Sequence, residues 1–469
     1  MSGKVGVWAA VGCYCVLMAA IGAWAARRTH DTEDFFLGGR RLGAWLAAFS
    51  QGATQSSAWT LVGVSGAAYA WGLSAAWIWL SVVAGYAVNW FLVAPRLRRL
   101  SAAGRSVTLV QLLTADATPT ALAATRRSAS VIIVFSFLFY VAAQFQAAGS
   151  AFSLALGLDF RWCVIAGAVL IVGYTLVGGF WAASVTDFVQ AWLMLLVAVV
   201  LPAAALAAAG GLSPVLQAAA DAGGGWLGGR AGVAALAFVL GTFGIGLAAP
   251  GQPHVVNHFM AARDDAAIRS GGTIALAWIA LVLAGMLVVG WSGRLLATPP
   301  SGAENVLYAA AGSWLPPLAG GFVTVAVMSA IMSTVDSQLI TATSSMTVDW
   351  GSGTPGSAPR LAPARVALLV FSTVAVTIAI FAPASIYSRV LFAWNALGAA
   401  FGPLVLLACV GRRVPIGATL ASMWTGFLLT VVFFLLPNAE GDVLERVLPF
   451  FVALGVALAL SRKGPRPGR

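Results

Sequence analysis

Between residues 5 and 461 the chain is a succession of apolar runs of membrane-crossing length. They fall at 5–26, 44–68, 72–95, 128–155, 160–178, 181–209, 231–252, 271–292, 318–346, 364–382, 387–409, 414–436 and 446–461. A helix needs about 20 apolar residues to span the hydrocarbon core. Lipid offers a single segment no other way to satisfy its backbone polar groups. The runs predict an all-α polytopic membrane protein with about 13 transmembrane helices. Composition agrees: only 9% of residues are charged, against about 25% in a soluble domain. The first run reads as a retained span and not a signal peptide, because Arg27 and Arg28 follow it instead of preceding it.

A net charge of +11 could suggest a nucleic-acid partner. The basic residues sit instead in short loops at the ends of the runs. With the N-terminus outside, 20 Lys and Arg fall on the cytoplasmic side and 6 outside, the bias expected of a plasma-membrane protein. The expected topology is N-terminus outside and C-terminus inside, in a bacterial inner membrane. The basic tail after Ser461 reads as a stop-transfer cluster, with anionic lipid contact as a secondary reading. Cys13, Cys15, Cys163 and Cys409 all lie in apolar runs and are expected to be buried, inert thiols. No catalytic triad, phosphate loop or dinucleotide motif is present in the sequence, so no enzyme is expected. A membrane-embedded ligand sensor would need a signalling domain, and the sequence ends at Arg469 with none.

Two of the runs are interrupted. Residues 50–59, SQGATQSSAW, put polar and small residues inside the second run. Polar sequence at that depth must line protein or a watery cavity. Residues 241–254, GTFGIGLAAPGQPH, interrupt the seventh run, five runs later. Paired breaks an odd number of spans apart are the pattern of an inverted-repeat transporter, with the binding site between them. This divides the chain into a peripheral first helix and loop (1–43), a first repeat (44–209, spans 2–6), a second repeat (210–409, spans 7–11), and peripheral spans 12 and 13 with the basic tail (410–469).

Two acidic residues, Asp187 and Asp336, fall inside runs, where an ionisable group is a candidate functional residue. Asp187 could also be a helix-end cap or pair with a loop Arg. Around Asp336, residues Ala330, Ser333, Thr334 and Ser337 share one helical face. Two hydroxyls with a freed carbonyl nearby are hard oxygen ligands, as a small cation prefers. Close helix packing explains such residues equally well from this helix alone; the hydroxyls at the first break favour an ion site. Asp336 and Ser337 form a candidate second ion or proton site. His254 and His258, spaced i, i+4 at the cytoplasmic end of the seventh run, have no third ligand for a metal. Trp59, Tyr140 and Trp394 are the aromatics at interior depth.

The stretches FFLGGRRLGAWLAAFSQGATQSSAW (35–59), YTLVGGFWAASVTDFVQAWLM (174–194), GQPHVVNHFMA (251–261), MSTVDSQL (332–339) and AWNALGAAFGPLVL (393–406) resemble the sodium/solute symporter family, and within it the bacterial sodium/proline symporters. The resemblance implies a LeuT-like repeat of five plus five helices within thirteen spans, and Na+-driven uptake of a small organic solute. It implies a Na+ site on the carbonyls of Ala53 and Ser56 at the first break, with Ala330, Ser333 and Thr334 opposite and Asp187 as acidic neighbour. It places Trp59 and Tyr140 in the solute pocket, with Gln55, Ser57 and Gln144 among the pocket candidates. Ile245 and Ala249 stand where proline carriers have a Trp and a Tyr, Gln55 where they have an Asp, and Ala58 where they have a Gly. The first two changes imply a roomier pocket and a solute other than proline, a larger amino acid or a related zwitterion or carboxylate. Gln55 leaves an H+-coupled or uncoupled carrier as the alternative, with Asp187 or Asp336 carrying the proton. No obligate protein partner is expected beside the solute, Na+ and the bilayer.

Overall fold

The computed structural model describes residues 2–26, 37–114, 119–221, 223–296, 301–350, 361–382, 385–437 and 440–463. In chain order the helices are α1 (Ser2–Ala26), α2 (Ala44–Gln55), α3 (Val64–Trp71), α4 (Ala76–Val88), α5 (Ala94–Gly104), α6 (Leu109–Leu113), α7 (Pro119–Leu156) and α8 (Phe160–Ala208). Then come α9 (Leu212–Asp221), α10 (Gly232–Leu247), α11 (Pro253–Met260), α12 (Asp265–Ser292), α13 (Val306–Trp314), α14 (Pro317–Ser344) and α15 (Leu361–Phe381). The chain closes with α16 (Ile386–Cys409), α17 (Ile416–Leu435), α18 (Val443–Arg446) and α19 (Leu448–Leu460). Among the described residues nine helices are long and apolar enough to cross a membrane, and three shorter apolar helices, Ala9–Met18, Phe160–Gly173 and Arg365–Phe381, add to them.

Helical residues follow one another from Phe160 to Ala208, the 49 residues of α8, where the sequence predicts two spans parted at Gly178-Gly179. A straight helix of 49 residues would be about 73 Å long, more than twice the roughly 30 Å hydrocarbon core. Its neighbours show two crossings. Gly149, late in α7, lies against Phe160 and Val164; Gly38, beside the start of α2, lies against Phe180 and Trp181; Gly285, late in α12, lies against Ala198 and Pro202. Phe160 and Pro202 are therefore at one face and Trp181 at the other, so the chain reverses near the glycine pair.

The two broken spans occupy the centre. α2 packs on α8, α12 and α14, α3 packs on α12, and α10 packs on α4. The first break falls within the predicted stretch. α2 ends at Gln55, Ser56 leaves helical geometry (φ −92°, ψ 4°), and a π-helical turn, Trp59–Gly63, restarts the span before α3. The second break is narrower than the sequence suggests. α10 continues to Leu247, and the break is the 3₁₀ turn Ala249–Gly251 with extended Gln252 (φ −90°, ψ 105°) before α11. Pro250 and Pro253 lack N–H groups and end the ladder there. Gly241, Gly244 and Gly246 do not break the helix. They let other backbone come close: Gly441 onto Gly241, Arg446 onto Gly244 and Ser81 onto Gly246, the small-residue packing of membrane helices.

One expectation changes. Cys13 is exposed, while Cys15 and Cys409 are half-buried and only Cys163 is buried; Cys13 lies on the outward face of α1, a helix that packs on the bundle from one side. The all-α class holds: the connections at 210–230 and 293–317 carry the short helices α9 and α13, and beside the helices Arg412–Arg413 pairs antiparallel with Arg462–Lys463. Large apolar side chains such as Val16, Trp162, Val233, Val370 and Leu435 are left exposed for lipid.

Candidate functional site

Breaking a helix frees backbone groups that must find partners. At the first break the Ser56 N–H turns back to the Ala53 carbonyl at 3.0 Å. The Ala58 N–H donates to Gln144 Oε1 at 2.9 Å, and the Trp59 N–H to Ser57 Oγ at 3.2 Å. The freed carbonyls meet α14. Ser333 Oγ donates to the Ala53 carbonyl at 3.0 Å, and Thr334 Oγ1 to the Thr54 carbonyl at 3.0 Å. The same hydroxyls lie 3.2 and 2.9 Å from the Ala330 carbonyl. Carbonyls and hydroxyls from two helices thus converge within about 3 Å of one another, a dense set of hard oxygens that fits a small cation. Ser56 contributes its place in the turn; its buried hydroxyl has no partner among the described residues.

Asp187 is fully buried on α8. It accepts from Ser50 Oγ at 2.8 Å and Thr54 Oγ1 at 3.3 Å. Among the described residues no arginine reaches it, and the His258 ring lies 4.0 Å away. His258 also approaches Ser50 Oγ at 3.0 Å and the His254 carbonyl at 3.0 Å through its two ring nitrogens. The sequence suggested a histidine at a cytoplasmic helix end, and in the structure it is buried on α11, the helix that follows the second break. Asp187 is one side chain away from the oxygen cluster, joined to it through Thr54.

Asp336 and Ser337 do not form one site. Ser337 Oγ meets Thr54 Oγ1 at 3.1 Å, whereas Asp336 accepts from Thr175 on α8. Neighbours on a helix point about 100° apart, and these two face different partners. Two acidic residues expected at span ends are buried as well. Glu445, at the head of the last span, is 7% exposed, and Asp349 2%. Asp349 accepts from Thr108 Oγ1 at 3.1 Å, and burial pushes its carboxyl up to about 7 against the pull of Thr108 and Arg126.

Beside the oxygen cluster a pocket opens between the two breaks. Gln55, Trp59 and Thr60 line it from the first break and Ile245, Gly246 and Ala249 from the second. Tyr140, Trp394, Val82, Tyr86, Ile279, Val390 and Leu391 complete the wall. Gln55, Trp59, Tyr140, Ile245 and Ala249, the pocket candidates of the sequence, thus line one cavity. Ser57 and Gln144 brace the break instead, Ser57 also accepting from Tyr140 Oη at 3.3 Å. Tyr86 was missed, because a lone Tyr in an apolar run carries no sign of which way it faces. On the far side of the wall, Trp59 stacks on Tyr387 with ring centroids 5.9 Å apart. Glu304 accepts the backbone N–H groups of Ile386 and Tyr387 at 3.3 and 2.9 Å, tying the start of α16 down over that end.

The model of the sodium:solute symporter family matches residues 35–426. The chain belongs to the sodium:solute symporter family. An osmoregulated proline transporter of Bacillus subtilis is 30% identical over 97% of this chain and 94% of its own length. Sodium/proline symporter 2 of Staphylococcus saprophyticus is 31% identical over 90% and 84%. Among solved structures, a Na+-coupled sialic acid symporter, substrate-bound and outward-open, matches with a TM-score of 0.81 at 16% identity, over 98% of this chain and 99% of that one. This likeness shows the LeuT-like fold. The protein is a symporter, not an enzyme. It couples Na+ to the uptake of a solute, as a multi-pass inner-membrane protein.

Proposed function

We propose that Na+ binds among the carbonyls of Ala53, Ser56 and Ala330 and the hydroxyls of Ser333 and Thr334, with Asp187 as charge partner through Thr54. The observation that carries this reading is the pair of hydroxyl contacts from α14 to the Ala53 and Thr54 carbonyls. No other group of described residues brings main-chain and hydroxyl oxygens of both helices so close to the cavity. An ion there ties α2 to α14. A ligand shifts a conformational equilibrium only through its differential affinity, so Na+ holds the outward-facing state in which these helices are joined. The solute then binds in the cavity between the breaks, the bundle rocks, and both are released to the cytoplasm. The basic loops support an N-out, C-in orientation, and the paired breaks support repeats at 44–209 and 210–409. One charge crossing supplies about 2.3 kcal/mol per 100 mV, roughly a 50-fold solute gradient.

The solute in this reading is an amino acid or related zwitterion or carboxylate larger than proline. The proline-transporting relatives support the chemical class; Ile245 and Ala249 in the cavity wall support the size. No obligate protein partner enters this cycle. Uptake by reconstituted liposomes, with labelled amino acids and carboxylates screened with and without an inward Na+ gradient, tests the whole of it. Ser333→Ala and Thr334→Ala are expected to raise the Na+ concentration for half-maximal uptake about tenfold, some 1.4 kcal/mol each. Unaltered Na+ dependence in both variants would move the ion elsewhere.

A further inference from the structure

A glutamine has two ends of the same shape. Its NH2 donates, its carbonyl accepts, and only the neighbours decide which faces where. Gln55 lines the cavity, so its orientation decides what chemistry it offers a solute. The decision begins at Trp90, on the π turn between α4 and α5. An indole N–H can only donate, and Trp90 Nε1 donates to Gln51 Oε1 at 3.1 Å. The other end of Gln51 is then its NH2, which donates to Gln55 Oε1. The carbonyl of Gln55 is thereby occupied, and its NH2 is left for the cavity. Trp90, Gln51 and Gln55 are 1%, 0% and 9% exposed, so bulk water does not compete for these bonds.

Nearby groups have the same polarity. Trp59 Nε1, whose ring lines the cavity, has no partner among the described residues. Gln144 is oriented by the Ala58 N–H on its carbonyl, and its NH2 is also without a partner among them. Buried donors left open are costly unless something accepts from them. We infer that Trp90 and Gln51 are positioning residues that lock Gln55 as a donor, and that Gln55 receives an acceptor group of the solute, its carboxylate. This rests on the reading above that the cavity takes the solute.

The lock can be reversed. In Gln51→Glu the new carboxylate accepts both from Trp90 and from Gln55, so Gln55 turns its NH2 toward position 51 and its carbonyl to the cavity. Trp90→Phe removes the N–H that orients Gln51 and leaves Gln55 free to turn. The experiment is Na+-driven uptake of tritiated L-proline, L-leucine and L-glutamate by liposomes containing the full-length protein. Each solute is competed with its own free acid and with its α-carboxamide. In the wild type the free acid should win by about tenfold or more, a charge-assisted hydrogen bond's worth. Gln51→Glu should abolish or invert that ratio, and Trp90→Phe should reduce it about threefold. A general packing defect lowers uptake with both competitors and leaves their ratio alone. The wild-type ratio in both variants overturns the lock; if Gln51→Glu does not fold, Trp90→Phe decides alone. Wild-type uptake of none of the three solutes overturns the amino-acid reading itself, and this inference with it.

Discussion

At the scale of single residues, the proposed solute site is tested at the cavity wall. Ala249 lies on the 3₁₀ turn of the second break and faces the cavity with nothing beyond its methyl. Ala249→Tyr fills that space, and the expected outcome is a narrower solute range, with the largest transported solutes losing affinity about tenfold or more and the smallest unaffected. Competition uptake measures it; equal losses across solute sizes would remove Ala249 from the wall. Gln55 was legible because it lies in the first break; Trp59, Tyr140, Ile245 and Ala249 were assigned to the pocket by the family resemblance, and all five line one cavity. Ser57 and Gln144 show where that approach ends. Both were expected against the solute, and both hydrogen-bond the freed N–H groups of the break, a demand visible only once the break has a geometry. The burial of His258 was missed for a related reason. Apolar length measures depth along a helix, and α11 is parted from α10 by the second break.

Elements are held here by backbone proximity more than by interlocking side chains. Gly246 of α10 lies on the Ser81 backbone of α4, and Ser81 Oγ caps the Gly246 N–H at 3.0 Å. Gly251 lies on α16 at Gly398 and Gly402. Lipid supplies no hydrophobic drive between helices, so such contacts rely on close packing. Gly246→Leu is expected to push α10 from α4 and cost about 1–3 kcal/mol by overpacking. Its thermal unfolding temperature in detergent should fall, and uptake with it. Gly455→Leu is the control, since a side chain there meets nothing within 4 Å; equal losses in the two would refute the packing argument. The sequence showed that these glycines matter but assigned them the wrong task. Gly241, Gly244 and Gly246 read as helix breakers, and Pro250 and Pro253 do the breaking. From glycine alone, a hinge and a contact look alike.

For the whole molecule, the helical fold was legible because apolar length is the strongest signal a membrane protein carries. Within α8, Phe160–Gly173 and Phe180–Ala208 are separate apolar segments on either side of the glycine pair at which the sequence divides two spans. Orientation rests on charge, and charge makes a testable statement: cysteines placed singly at Asp159 and at Arg412 in a cysteine-free background should react with a membrane-impermeant maleimide from opposite sides. Asp159 should label in intact cells, and Arg412 only after permeabilisation; the reverse pattern would invert the topology. A carrier must also make its journey back without cargo. At the break, the Ser333 and Thr334 hydroxyls close onto the Ala53 and Thr54 carbonyls by turning a single O–H bond. The same oxygens can face a cation with their lone pairs or a carbonyl with their protons, so under the proposed site an ion that leaves strands no dipole in the low-dielectric interior: each hydroxyl turns its proton to a carbonyl of the break.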